Sequence, residues 1–223
     1  MRYVVLPLLA LVVLLAQSIA TENKPNIVLI YVDDLGYGDL GCYGSEKNDT
    51  PHVDQLAADG MRFTDYYSAS PVCTPSRAAL LTGGYPGRVS FDVFNGSRKS
   101  WVLFPGFAEG LHPNELLLPE YLKWQGYATS HVGKWHLGDQ IEHLPTRHGF
   151  DSYYGIPYSN DMAIMPRKKK SPPLPLLRDE EVIAEQPKQA PLIQSYTEEA
   201  VSFIRENQDQ PFFLYFAHMH VHL

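Results

Sequence analysis

The chain has 223 residues, 44% of them hydrophobic and 19% charged, the balance of a globular protein with enough apolar material for a sizeable core. Its net charge of −7 argues against nucleic acid as a partner, yet leaves open a site in which a few local cations take an anionic small molecule. Two cysteines, Cys42 and Cys73, are too few for a disulfide-stapled miniprotein.

Residues 1–20 begin Met1-Arg2, continue through an apolar run and end Ser18-Ile19-Ala20, which is a signal-peptide pattern and too short for a membrane span. The sequons Asn48-Asp49-Thr50 and Asn95-Gly96-Ser97 agree with passage through a secretory pathway. Residues 26–32 form a β-branched apolar run that predicts a strand buried on both faces and ending at Asp33-Asp34. Thr50-Pro51 reads as a cap followed by a first-turn proline, opening a helix that Gly60 closes; residues 62–67 read as a short strand. Thr74-Pro75 repeats the signal, so residues 76–82 should be helical up to Gly83-Gly84, with Cys73 just before the helix.

Further helices are predicted over 116–125 and 196–207, and strands over 127–132 and 211–217. Strands alternating with helices predict an α/β fold, a mainly parallel sheet flanked by helices with ligands near the strands' C-terminal ends. Residues 166–192, with six prolines and the basic run Arg167-Lys168-Lys169-Lys170, read as a long surface loop; the basic run is most simply a solvated stretch.

The chemistry concentrates at a few points. Cys73-Thr74-Pro75-Ser76-Arg77 stands at a predicted helix start, where free N–H groups and the macrodipole favour an anion, and Arg77 adds a permanent cation. The plainer reading is a structural cysteine beside a capped helix, or a Cys42–Cys73 disulfide. Asp33-Asp34 suits a hard cation or a simple turn. Lys134 and His136, just past a strand, can bind an oxyanion and move a proton, or can be a surface lysine and a packed histidine. His218, His220 and His222 alternate so that a metal site is conceivable, and Ser159 alone suggests only turn chemistry.

Cys73-Thr74-Pro75-Ser76-Arg77 followed by Ala78-Ala79-Leu80-Leu81-Thr82-Gly83 resembles the signature of the sulfatase family, arylsulfatase type. The resemblance extends through Asp33-Asp34-Leu35-Gly36-Tyr37-Gly38-Asp39-Leu40-Gly41, Gly133-Lys134-Trp135-His136-Leu137-Gly138, Gly155-Ile156-Pro157-Tyr158-Ser159 and Pro211-Phe212-Phe213-Leu214-Tyr215. It implies an alkaline-phosphatase-like fold that hydrolyses sulfate esters with a divalent cation, calcium or else magnesium. It implies that a formylglycine-generating enzyme reads Cys73, Pro75 and Arg77 and oxidises Cys73 to formylglycine. The catalytic residues it implies are Cys73, Arg77 and His136; the substrate-binding ones are Lys134, Ser159 and His222; the metal ligands are Asp33, Asp34 and the group made from Cys73. His218 and His220 would then be structural. Residues 21–223 would be the N-terminal part of the catalytic domain, with a later Asp-Asn metal pair and a sulfate-binding lysine beyond Leu223, and the destination a lysosome, the extracellular space or a periplasm.

Two rivals stand beside this reading. A phosphatase or phosphodiesterase of the same superfold would normally use serine or threonine with two transition metals, against which Cys73, Pro75 and Arg77 argue. A catalytically inactive sulfatase fragment, acting as a binding or decoy protein, is the other, and the missing metal and sulfate ligands argue for it.

Overall fold

The computed structural model describes residues 24–89, 91, 102–164 and 170–222. The signal-like segment, the Asn95 sequon and residues 167–169 of the basic run lie outside the described residues.

Six strands make one sheet: β1 (Ile27–Ile30), β2 (Ala128–Lys134), β3 (Ser152–Ile156), β4 (Pro175–Arg178), β5 (Glu181–Glu185) and β6 (Phe212–Ala217), in the order β1-β6-β2-β3-β4-β5. The four strands from β1 to β3 run parallel, as the alternation of strands and helices predicts, while β4 and β5 add antiparallel. Among the described residues four α-helices accompany them: α1 (Pro51–Asp59), α2 (Cys73–Thr82), α3 (Leu118–Trp124) and α4 (Leu192–Glu206).

The period-two alternation of a strand divides β6 between two cores. Phe213, Tyr215 and Ala217 join Ala78 and Leu81 of α2 and Leu122 of α3, whereas Phe212 and Leu214 join Leu192, Tyr196 and Ala200 of α4. The three α4 residues recur every four positions and so form one helical stripe against the sheet. Covering both faces is what makes β6 a continuous apolar run, Phe-Phe-Leu-Tyr-Phe-Ala.

Several expectations change. Among the described residues β1 is an edge strand rather than one buried on both faces: β6 pairs with one side, and Val28 and Ile30 are 45% and 54% exposed. Residues 62–67 form no strand. The stretch 166–192 contains the β4–β5 hairpin; Pro175 begins a strand, a position that tolerates the missing N–H. Cys73 is the first residue of α2, capped by Val72, instead of preceding the helix.

One row of small residues brings the strand ends together. Gly133 pairs with Gly155 on one side and Ala217 on the other. Gly133 has φ +117°, which side-chain-bearing residues rarely adopt, and a Cβ on Gly155 would stand 1.8 Å from the Gly133 carbonyl oxygen. This close approach leads directly into Lys134, the last residue of β2.

Candidate active site

The C-terminal ends of β1, β2, β3 and β6 converge, as the parallel topology requires, and α2 begins there. The chain after β6 is tied to the end of β1 by Asp33 N–H donating to His220 O at 3.2 Å and Val221 N–H donating to Asp33 O at 2.9 Å.

Three buried charges form the centre. Asp33 is 5% exposed, and Arg77 and Lys134 are completely buried. Lys134 Nζ donates to Asp33 Oδ2 at 2.6 Å and to Ser159 Oγ at 3.0 Å. Arg77 Nη2 lies 3.4 Å from Asp33 Oδ2, and its Nη1 donates to Lys134 O at 2.6 Å. Burial alone would raise the Asp33 pKa, but Arg77 and Lys134 outweigh it and hold the carboxyl below its ordinary value. Burial and the neighbouring Arg77 together push Lys134 down. Two cations against one carboxylate leave an excess positive charge in a dry place, and Arg77 Nε and Nη2 have no hydrogen-bond partner among the described residues. Such a site is built to receive an anion.

Cys73 is a free thiol at the N-terminus of α2, within electrostatic reach of Arg77 and Lys134. Cys42 is free as well, so no disulfide joins the two. Thr74 bolts the helix start down: its Oγ1 donates to His136 O at 3.0 Å and accepts from Leu103 N–H at 3.3 Å.

His136 is completely buried, and burial, reinforced by the charges of Lys134 and Arg77, drives its pKa well below the usual histidine value. The ring is therefore neutral. Its Nε2 is 3.0 Å from Leu103 O; a carbonyl only accepts, so Nε2 carries the proton and Nδ1, which has no partner, keeps its lone pair. That tautomer is a proton acceptor.

His222 borders this centre, within electrostatic reach of Asp33 and His136, with Nε2 3.7 Å from Asp34 Oδ2 and Nδ1 without a hydrogen-bond partner among the described residues. Asp34, at φ 61°, directs a 66%-exposed side chain outward, so the two adjacent carboxylates face different surroundings. His218 and His220 lie ring to ring at 6.1 Å. Among the described residues, no three His, Cys, Asp or Glu side chains form a group that could hold a metal ion. In kind, the oxygen donors Asp33 and Asp34 suit a hard cation; in number they supply only part of a coordination shell.

Tyr31 is a site residue that the motifs did not single out. Its hydroxyl shares a 2.7 Å hydrogen bond with Ser76 Oγ, and its ring lies 5.0 Å from the Arg77 guanidinium carbon. Its only sequence signal was proximity: Tyr31 directly follows β1 and stands two residues before Asp33.

Comparisons with known proteins place the chain in a family. The Sulfatase family model matches residues 25–223. N-acetylgalactosamine-6-sulfatase of Sus scrofa is 41% identical over 206 residues, covering 87% of this chain and 39% of that protein. Arylsulfatase A of Homo sapiens is 42% identical over 231 residues, covering 96% of this chain and 44% of that protein. The chain thus spans about two-fifths of the length of these curated relatives. Among solved structures, Ps i-CgsB superposes with a TM-score of 0.73 at 36% identity, over 90% of this chain and 46% of that one. The PsFucS1 sulfatase from Pseudoalteromonas sp. gives 0.68 at 28%, over 89% and 44%. The fold is the mostly parallel, alkaline-phosphatase-like sheet of these structural neighbours, present in part, and the chain belongs to the sulfatase family.

Proposed function

We propose that this chain carries the nucleophile-bearing part of a sulfuric ester hydrolase of the arylsulfatase type. The observation that carries the reading is the cationic pocket of Arg77 and Lys134 at the start of the helix that begins with Cys73. Cys73, Pro75 and Arg77 would be read by a formylglycine-generating enzyme, and the hydrated aldehyde at position 73 would supply an oxygen nucleophile toward sulfur and later release sulfate.

The chain's own residues have separate tasks. Arg77, whose buried Nε and Nη2 make no hydrogen bond among the described residues, and Lys134 bind the sulfate oxygens, assisted by the N–H groups of the helix start. Ser159 positions the Lys134 ammonium. His136, neutral and unpartnered at Nδ1, takes the proton lost at residue 73 as sulfate departs. His222, on the rim beside Asp34, gives a proton to the leaving alcohol. Asp33 and Asp34 would hold a divalent cation, calcium in preference to magnesium, which stabilises negative charge on oxygen.

The signal-like segment and the exposed Asn48 sequon support entry into the secretory pathway, toward a lysosome, the extracellular space or a periplasm. Among the described residues no helix is long and apolar enough to cross a membrane.

Co-expression with the maturation enzyme, followed by mass spectrometry of the peptide containing residue 73, tests the reading. Conversion of the thiol to an aldehyde is expected, and an unmodified thiol throughout would refute it. A second reading, a catalytically silent chain, is favoured by the outward Asp34: two carboxylates leave a hard cation short of the six to eight oxygens it prefers. It predicts aldehyde at 73 but aryl sulfate turnover roughly two to three decades below that of a version lengthened to the span of the relatives.

A further inference from the structure

His143 is buried, and both nitrogens of its ring face backbone carbonyls of one segment, residues 103–111: Nδ1 is 3.0 Å from Leu111 O and Nε2 is 3.2 Å from Ala108 O. The surroundings are shaped to this ring. The His143 N–H donates to Gln140 O, its carbonyl accepts from Trp135 Nε1–H, and a Cβ on Gly110 or Gly138 would run into the side chain. A carbonyl oxygen only accepts, so each ring nitrogen needs a proton to bond there; a neutral imidazole carries one and an imidazolium two. The two carbonyls differ. Leu111 is buried whereas Ala108 is exposed, so a neutral ring keeps its proton on the Leu111 side and leaves the Ala108 carbonyl to water.

We propose that His143 is a positioning residue, an acid-operated clamp that holds segment 103–111 at two points when protonated and at one when neutral. The first residue of the segment reaches the site: Leu103 O accepts from His136 Nε2–H, and Leu103 N–H donates to Thr74 Oγ1. Further along, Gly106 N–H donates to Asp139 Oδ2 and Phe107 N–H to Phe104 O. Acid therefore tightens the segment that keeps the His136 lone pair in place. That consequence rests on the reading of His136 as the proton acceptor; the clamp itself does not. On the elements packed round His143, His148 is buried, and burial first, then the charge of His143, push its pKa down to about 4, so it does not compete for the proton. His136 is neutral, Asp139 is engaged by Gly106 and Gln140, Arg147 is paired with Glu180, and Glu109 and Glu142 are exposed.

The test follows the 223-residue chain between about pH 5 and about pH 8, the span in which histidines ordinarily titrate. Ring ¹⁵N spectra should show two proton-bearing nitrogens on His143 at the acid end and Nδ1 alone protonated at the other. Hydrogen exchange at Gly106 and Phe107, divided by the intrinsic rates, should be roughly tenfold slower at the acid end, as a hydrogen bond to a charged group implies. Leu111 N–H, which donates to Leu137 O at 2.7 Å, should change little. His143→Phe, which fills the slot and donates to neither carbonyl, should exchange fast at both ends. Nε2 in one state throughout, bare or protonated, would overturn the clamp, and that measurement needs no variant that could fail to fold. Protection at Gly106 and Phe107 that still varies with pH in His143→Phe would overturn it as well. An unmodified thiol at residue 73 would refute the enzymatic reading and leave these outcomes unchanged.

Discussion

His131, His136 and His148 are sealed into the protein as neutral rings, and their burial sets its response to acid. His131 lies between Tyr153 and Tyr215, with centroids at 5.1 and 4.8 Å, and Nδ1–H donates to Tyr215 O. Burial pushes its pKa down to about 3, that of His148 to about 4, and that of His136 well down as well. An unfolded histidine takes up a proton below about pH 6.5, while these folded rings refuse it until much lower. Protons therefore favour the unfolded chain. The stability is fully present above about pH 6.5 and shrinks as pH falls from there toward the folded values. Near pH 5 the His131 and His148 rings should each cost about 2 kcal/mol relative to neutral pH. Urea unfolding at the two pH values checks this, and His131→Phe, which keeps the stack, should remove about 2 kcal/mol of the difference. Asp33 acts at lower pH: its depressed pKa gives stability that is present above about pH 4 and lost as pH falls through the folded value.

At the scale of the element, the Gly133–Gly155 approach decides whether β2 delivers Lys134 to the site. Gly155→Ala sets a methyl against a backbone carbonyl that cannot turn aside, so it should destabilise by about 3 kcal/mol or more in urea titration. Gly38→Ala, where a Cβ meets nothing within 4 Å, is the matched control and should be nearly neutral. The same contrast between local and distant causes governs what was legible in the sequence. The bounds of α1 were readable because Thr50-Pro51 and Gly60 act within a turn of the helix they delimit. The edge position of β1 was not, since it depends on a partner, β6, that lies over 180 residues away. The β4–β5 hairpin hid behind prolines, and residues 62–67, rich in strand-favouring side chains, find no strand to pair with among the described residues. In the site, the motif spacing pointed to Cys73 and Arg77, both on α2. The pairing of Lys134 with Asp33, 101 residues apart, is a product of topology and left no local trace.

At the scale of the whole molecule, burial is strongly one-sided. The second sheet edge is a short acidic strand, Glu181–Glu185, of the kind that resists edge-to-edge pairing. The β1 edge lacks that protection: Val28 and Ile30 are exposed there, and no residue of α1 is buried. Leu56, Met61, Tyr66 and Tyr67 are each 60–80% exposed, and Tyr66 and Tyr67 also line a cavity of about 200 Å³ with Tyr31, Leu80 and Tyr85. An open strand edge beside exposed apolar side chains is a template for association. The chain is therefore expected to self-associate as its concentration rises, which sedimentation velocity would detect. Lysine at position 28 or 30 places a charge on the outward face of the edge strand without touching the buried face of β6. Val28→Lys and Ile30→Lys should thus raise the monomer fraction while leaving the urea midpoint within about 0.5 kcal/mol of the parent. Association unchanged in both variants would exclude the β1 edge as its cause and direct attention to the tyrosine-lined cavity instead.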